Sequence, residues 1–171
     1  NMGVLKGAPG PGRATIEKSG IGQSAYQVKD VYTVEAAVDF FENHNAANPF
    51  CVTVGLMLPH APYVASAEDY ALYDGKVGAA PLPAPESEHP WLNWWRKKHD
   101  IMEVPEDHAI RARTAYYALV TRMDKMIGEI VDSLEENNLL DNTLVVYSSD
   151  HGDQIGERGL WWKHTLYEES V

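Results

Sequence analysis

FCVTVGLMLPHAP, residues 50–62, opens with nine almost continuously apolar residues and ends in a histidine framed by prolines. Val52, Thr53 and Val54 are β-branched and Pro59 stops the run, as expected of a short buried strand. A strand apolar on both faces belongs inside a parallel sheet, because one-sided antiparallel strands alternate apolar and polar residues. Just upstream, Ala36, Ala37, Phe40 and Phe41 recur at helical spacing from Thr33, with Thr33 as N-cap and Asn45 to Pro49 as the stop. The spacing predicts a helix of about three turns. The same order recurs downstream. Pro105 suits a first helical turn, and Ile110, Tyr117, Val120, Met123, Ile127, Ile130, Val131 and Leu134 predict one broad apolar face ending near Asn137 or Asn138. NTLVVYSSD, residues 142–150, is then apolar from Leu144 to Tyr147 and turns polar at Ser148. Two helix-then-strand units predict an α/β protein with a mostly parallel central sheet and helices on both faces.

The flanking segments have neither period. Residues 1–30 hold Gly3, Gly7, Gly10, Gly12, Gly20 and Gly22 and read as loop, and residues 61–104, dense in proline and glycine, predict a long irregular excursion with at most short helices. No internal repeat is present.

Composition narrows the partners. At 44% hydrophobic and 23% charged, the 171 residues fit a soluble globular domain or a piece of a larger one. The net charge of −11 excludes a nucleic-acid backbone as partner. The one basic run, Arg96 to Lys98, stands beside Trp94 and Trp95 and reads as a solvated helix face rather than a stacking platform. Cys51 is the single cysteine, so the sequence forms no intrachain disulfide and no cysteine-rich zinc site. No apolar run reaches the eighteen or so residues of a membrane span. Asn1 and Val171, the latter just after a chemically loaded loop, read as cuts within a longer polypeptide. Compartment and oligomeric state do not follow from composition.

Ligands of parallel sheets bind beyond the C-terminal ends of the strands. Pro59-His60-Ala61-Pro62 and Asp150-His151-Gly152-Asp153 both fall at such places. Asp150 offers a hard oxygen and His151 an imidazole nitrogen, with Gly152 as the turn that lets them converge on a cation; the alternative is an Asp that caps the next segment in a simple turn. Lys163 follows thirteen residues later, past Gly156, Gly159, Trp161 and Trp162, where it either returns over the pocket to neutralise a sulfate or phosphate oxygen or faces solvent. His60 suits proton transfer or anion binding, and a structural histidine is the alternative. Tyr63, Tyr70, Trp91, Trp94, Trp95, Trp161 and Trp162 read as packing, with some able to line a pocket whose indole faces attract a quaternary ammonium group. His44, His89, His99, His108 and His164 read as solvated.

Taken together, LMLPHAPY at 56–63, AYYALVTRMDKMIGEIVDSLEENNLLDNTLVVYSSDHGD at 115–153 and GERGLWWKHTLYEES at 156–170 resemble the type I sulfatases, with the DHGDxxGERGLWxK form closest to choline-sulfatase-like members. The resemblance implies an alkaline-phosphatase-like α/β fold, of which residues 1–171 are an incomplete, central-to-C-terminal portion. It implies hydrolysis of a small-molecule or carbohydrate sulfate ester, with a divalent cation, usually Ca2+ and otherwise Mg2+ or Mn2+. It implies that Asp150 and His151 are metal ligands, that Lys163 binds the sulfate group, that His60 contacts it and assists the leaving alcohol, and that Asp124 is structural. The family's nucleophile is a formylglycine made in a Cys/Ser-x-Pro-Ser-Arg motif, a pattern absent from residues 1–171; Cys51 precedes Val-Thr-Val and does not match it. The formylglycine is therefore expected outside this chain, and the chain alone is expected to turn over little. Two alternatives accompany this expectation: phosphomonoester or phosphonate-ester hydrolysis, and a catalytically silent metal-binding module.

Overall fold

The computed structural model describes residues 12–171, so the first eleven residues of the Gly-rich start expected to be loop lie outside the described residues. The elements are α1 (Ala14–Glu17), β1 (Gly20–Ile21), α2 (Ala25–Glu42), β2 (Val64–Ala65), α3 (Ala67–Ala71), α4 (Pro90–Lys98), α5 (Glu106–Glu136), β3 (Gln154–Ile155) and β4 (Trp161–Trp162).

α5 is the spine. Its 31 residues start after Pro105, carry Glu106 and Asp107 in the first turn where they oppose the helix dipole, and end at Asn137 followed by Asn138 in the left-handed conformation. The buried stripe meets the predicted one only toward the helix end, at Leu134. Ala112, Ala115, Ala118, Leu119 and Met126 are sealed, and the alanines let neighbouring backbones approach closely. Of the predicted face, Leu134 is buried, Met123 and Ile130 pack against the core from its edge, Val120, Ile127 and Val131 line a cleft, and Tyr117 is exposed.

α2 corrects the expected boundary. It begins at Ala25, not near Thr33, because Ser24 and Gln27 form a capping box: Gln27 N–H donates to Ser24 Oγ, and Ser24 N–H donates to Gln27 Oε1. Thr33 lies mid-helix and donates its hydroxyl to Lys29 O one turn back. The predicted loop over residues 1–30 is thus overturned from α1 onward. Val34, Ala37 and Phe41 of α2 pack against Leu119, Met126 and Leu134 of α5.

The molecule is α/β, with a small parallel sheet in which β1 pairs with β2 in the register Gly20↔Val64 and Ile21↔Ala65. The two segments expected to be buried strands, 50–58 and 144–147, form no strand pairing among the described residues. Leu144, Val146 and Tyr147 are exposed, as is Val52. Strand propensity is only realised when a neighbour accepts the ladder, and among the described residues neither segment has a paired neighbour. What holds residues 50–58 is side-chain anchoring: the fully buried Asp30 of α2 accepts the amides of Met57 at 2.9 and 2.8 Å and of Leu58 at 2.8 Å. That carboxylate fixes the approach to Pro59-His60.

The basic run is also corrected. Arg96 is buried; it pairs with Glu88 and donates to Arg158 O at 2.7 Å and Gly159 O at 3.3 Å, so it is a structural tie and not a solvated residue. Lys98 lies over the exposed Trp94 ring, 4.7 Å from its centroid.

Candidate functional site

β3 and β4 form an antiparallel hairpin in the register Gln154↔Trp162 and Ile155↔Trp161. Gly156 and Gly159 sit in its loop at φ of 111° and 66°, values that suit glycine. Because Trp162 is opposite Gln154, the next residue, Lys163, is carried back to Asp153 and His151. The hairpin is pinned to α5 from below: Arg113 donates to Ile155 O at 2.9 Å and to Glu157 Oε1 at 2.7 Å, while Glu157 Oε2 accepts the Ile155 amide at 2.8 Å.

The returned lysine meets the imidazole. Lys163 Nζ is 2.8 Å from His151 Nε2, and His151 Nδ1 is 2.6 Å from Gly152 O. A carbonyl only accepts, so Nδ1 carries the proton and Nε2 presents its lone pair to the ammonium, an assignment made from the hydrogen-bond network. Asp150 Oδ2 lies 3.2 Å from the same Nε2. Both side chains remain within reach of the surrounding space, Asp150 being largely exposed and His151 half-buried.

Gly152 is required for a different reason from the expected tight turn. Its φ is outside the left-handed region, but a Cβ there would sit 2.4 Å from Glu169 O and 3.0 Å from Glu169 C. The chain end at 168–170 therefore packs on the bare backbone of Gly152. Trp162, His164 and Leu166 adopt φ of 65°, 77° and 58°, a concentration of left-handed non-glycine residues around Lys163 of the kind that stores strain at functional sites.

His60 reaches the same cleft from the other side. Its N–H donates to Met57 O at 2.9 Å, its ring stands edge-on to Tyr26 with centroids 5.2 Å apart, and Nδ1 is 2.6 Å from Ala61 O. Nδ1 is again the protonated nitrogen, which leaves Nε2 as the one that can exchange a proton with a ligand. The cleft, of about 2030 Å³, is lined by His60, Asp150, His151, Asp153, Trp162 and Lys163 together with residues 49–58, residues 142–149 and one face of α5. It is about twice the upper end of an ordinary small-ligand pocket, roughly 1,000 Å³, so only part of it would surround a small substrate.

Tyr63, read from the sequence as packing or pocket lining, and Asp153, to which the sequence reading gave no role within DHGD, are paired in the structure. Tyr63 is fully buried and donates its hydroxyl to Asp153 Oδ2 at 3.1 Å. Burial pushes the Asp153 carboxyl up to about 7, against the pull of the Tyr63 hydroxyl, His151 and Lys163; burial and the neighbouring Asp153 likewise push the Tyr63 phenol well above its usual range. The second carboxylate of DHGD was a visible signal for Asp153; Tyr63 offered none beyond its place three residues after His60.

The donor chemistry bears on a divalent cation. Asp150 Oδ2 and a neutral imidazole nitrogen 3.2 Å apart are close enough to share one ion. Calcium takes six to eight ligands, and among the described residues no group of three or more His, Cys, Asp or Glu could hold a metal. These residues fit a cation as part of its shell. Among the described residues, no helix is long and apolar enough to cross a membrane.

A model of the Sulfatase family matches residues 9–171. Over 131 residues, 72% of this chain and 25% of the relative, the sequence is 39% identical to choline-sulfatase of Rhizobium meliloti (strain 1021). It is 29% identical over 156 residues to iduronate 2-sulfatase of Mus musculus, covering 81% of this chain and 28% of that one. The chain thus spans about a quarter of the length of these curated relatives. Among solved structures, the phosphonate monoester hydrolase SpPMH from Silicibacter pomeroyi superposes on 96% of this chain and 37% of its own, with a TM-score of 0.69 and 25% identity. A structure of BT4656 in complex with its substrate D-glucosamine-2-N,6-O-disulfate matches 82% of this chain with a TM-score of 0.62 at 19% identity, a likeness of fold.

Proposed function

Since the chain belongs to the sulfatase family, of the alkaline-phosphatase-like superfamily, we propose that it forms the part of a sulfuric ester hydrolase that grips the sulfate group and protonates the leaving alcohol. The observation that carries this reading is the hairpin register that returns Lys163 onto His151 within the cleft that also holds His60. Lys163 supplies a positive charge to a sulfate oxygen, a charge-assisted contact stronger than a neutral one. His60 Nε2 delivers a proton to the departing oxygen when the ring is doubly protonated, while Nδ1–H holds the ring in place through Ala61 O. Asp150 and His151 hold a divalent cation, Ca2+ in our reading, which when bound neutralises charge on the sulfate oxygens. The nucleophile, a formylglycine, would come from outside residues 1–171.

A small sulfate monoester is the proposed substrate class, and choline sulfate is the first to test, on the strength of the 39% identity to choline-sulfatase. The experiment is turnover of choline sulfate and 4-nitrophenyl sulfate by the intact enzyme that contains this chain. On choline sulfate, His60→Ala and Lys163→Ala are each expected to lower kcat/KM by about 100-fold or more, the usual scale for a lost general acid or charge clamp; on 4-nitrophenyl sulfate, whose leaving group needs no proton, Lys163→Ala is expected to do the same and His60→Ala far less. Undiminished activity in both would sink the role assignment. Hydrolysis of phosphonate monoesters is the second reading, favoured by the fit to SpPMH over nearly the whole chain; rates on matched sulfate and phosphonate esters separate the two.

A further inference from the structure

Two short loops carry the chemistry of this cleft, and each opens into a different sheet. Pro59 to Tyr63 leads into β2, which pairs with β1; Gly20 N–H donates to Tyr63 O at 2.9 Å at the start of that pairing. Asp150 to Asp153 leads into β3, which pairs with β4. The two sheets share no strand, so nothing in their ladders fixes the distance between His60 on the first loop and His151 and Lys163 on the second. The hydrogen bond from Tyr63 to Asp153 crosses that gap, from the residue that closes the first loop to the residue that closes the second.

We infer that Tyr63 and Asp153 are a positioning pair, which sets the register between the proton donor His60 and the anion-binding Lys163 through the Tyr63 hydroxyl on Asp153 Oδ2. The inference rests on the sulfatase reading for what His60 and Lys163 do. Its physical basis is the rigidity of the two ends. Tyr63 is sealed from solvent, edge-on to Tyr116 with centroids 5.9 Å apart and 5.9 Å from Trp161, so its ring has no room to swing. Asp153 is fixed by the hairpin that follows it and by the packing of residues 169–170 on its neighbour Gly152. A bond between two such fixed points transmits position; the same bond between mobile side chains would only break and reform. Misplacement of a proton donor by about 1 Å costs on the order of 100-fold in rate.

The proposal separates from a merely structural role through the leaving group. An alkyl alcohol needs its oxygen protonated as the bond to sulfur breaks, whereas 4-nitrophenolate leaves unaided. Tyr63→Phe in the intact enzyme, which deletes only the hydroxyl, is expected to lower kcat on an alkyl sulfate tenfold or more with KM little changed, and to lower kcat on 4-nitrophenyl sulfate less than threefold. Asp153→Ala is expected to reproduce that pattern, and Asp153→Asn, which keeps an acceptor oxygen, to restore most of the alkyl sulfate rate. In a His60→Ala background Tyr63→Phe is expected to add nothing, the mark of two residues acting through one step. An equal fall on both substrates, or an undiminished effect of Tyr63→Phe without His60, overturns the positioning role while leaving the sulfatase reading intact. A wild-type enzyme inert toward sulfate and phosphonate esters alike overturns that reading, and this role with it. If Tyr63→Phe fails to fold, Asp153→Asn against Asp153→Ala makes the same comparison.

Discussion

Lys163 Nζ lies 2.8 Å from His151 Nε2, so the ammonium proposed to bind sulfate occupies the lone pair proposed to bind the cation. Cation binding must move Lys163 off the imidazole and into the cleft, where an anion can meet it. Two unit charges 4 Å apart repel by about 4 kcal/mol at an effective dielectric of about 20, and solvent screening leaves a fraction of that here. Lys163→Met is therefore expected to tighten Ca2+ or Mn2+ binding by the chain about tenfold and to weaken sulfate binding. Calorimetric titration of both variants with each ion checks this; an unchanged cation affinity would show that His151 Nε2 takes no part.

Gly152→Ala tests the packing beneath the same residues. The added Cβ meets backbone rather than a movable side-chain tip, and the 168–170 turn is held by Arg158 on Glu169 at 2.7 Å and by the hydroxyls of Thr165 and Ser170 at 2.8 Å. Overpacking of this kind costs about 1–3 kcal/mol. Denaturant unfolding should show that loss, accompanied by weaker cation binding because Asp150 and His151 are displaced with the turn.

The sequence carried the helices better than the sheet, for a reason that particular residues expose. α5 runs from Glu106 to Glu136, between Pro105 and Asn137 as expected, because its boundaries are local chemistry. The start of α2 was also local, in the Ser24–Gln27 capping box, but the surrounding glycines obscured it. Residues 50–58 and 144–147 have the composition of buried strands, yet pairing is a property of neighbours that composition does not contain, and Leu144 and Val146 stand exposed. At the site, the motif letters DHGD and the later lysine marked Asp150, His151 and Lys163 as candidates, and the structure gathers them with His60. The Tyr63–Asp153 bond joins positions 90 residues apart, a separation over which no sequence spacing is informative.

Acid should weaken the anchoring of α3 to α5. The Asp69 carboxylate is buried, which pushes its pKa up, but the Lys125 ammonium at 2.6 Å and the Ser66 hydroxyl at 2.9 Å outweigh burial and hold it below its usual 3.8. A carboxyl with a depressed folded-state pKa contributes stability that is complete above its unfolded value and is lost as pH falls through the folded one. Asp69→Asn is thus expected to melt below the wild type at about pH 6, with the gap closing only as pH drops below the usual carboxylate range. A gap that stays constant into strong acid would show that the Asp69–Lys125 pair contributes nothing.

The pair Arg113–Glu157 decides whether Lys163 reaches the site at all. Both side chains are nearly sealed, at 7% and 10% exposure, and between them they satisfy the carbonyl and amide of Ile155, the residue that begins the turn back toward Trp161. Removing one partner leaves a buried charge without its counter-ion, a loss of about 3–5 kcal/mol, whereas removing both leaves none. Arg113→Met is therefore expected to destabilise the chain by that amount, and Arg113→Met with Glu157→Leu to recover part of it. The recovery stays partial because the double variant leaves the Ile155 amide as well as its carbonyl without a partner. Sulfate binding should follow the hairpin rather than the global stability: it is lost in the single variant and stays weak in the double variant even where folding recovers, since Lys163 is held over His151 only while Ile155 keeps its place. Denaturant unfolding alongside sulfate titration separates the two quantities, and full sulfate affinity in the single variant would show that the register of the hairpin does not depend on this pair.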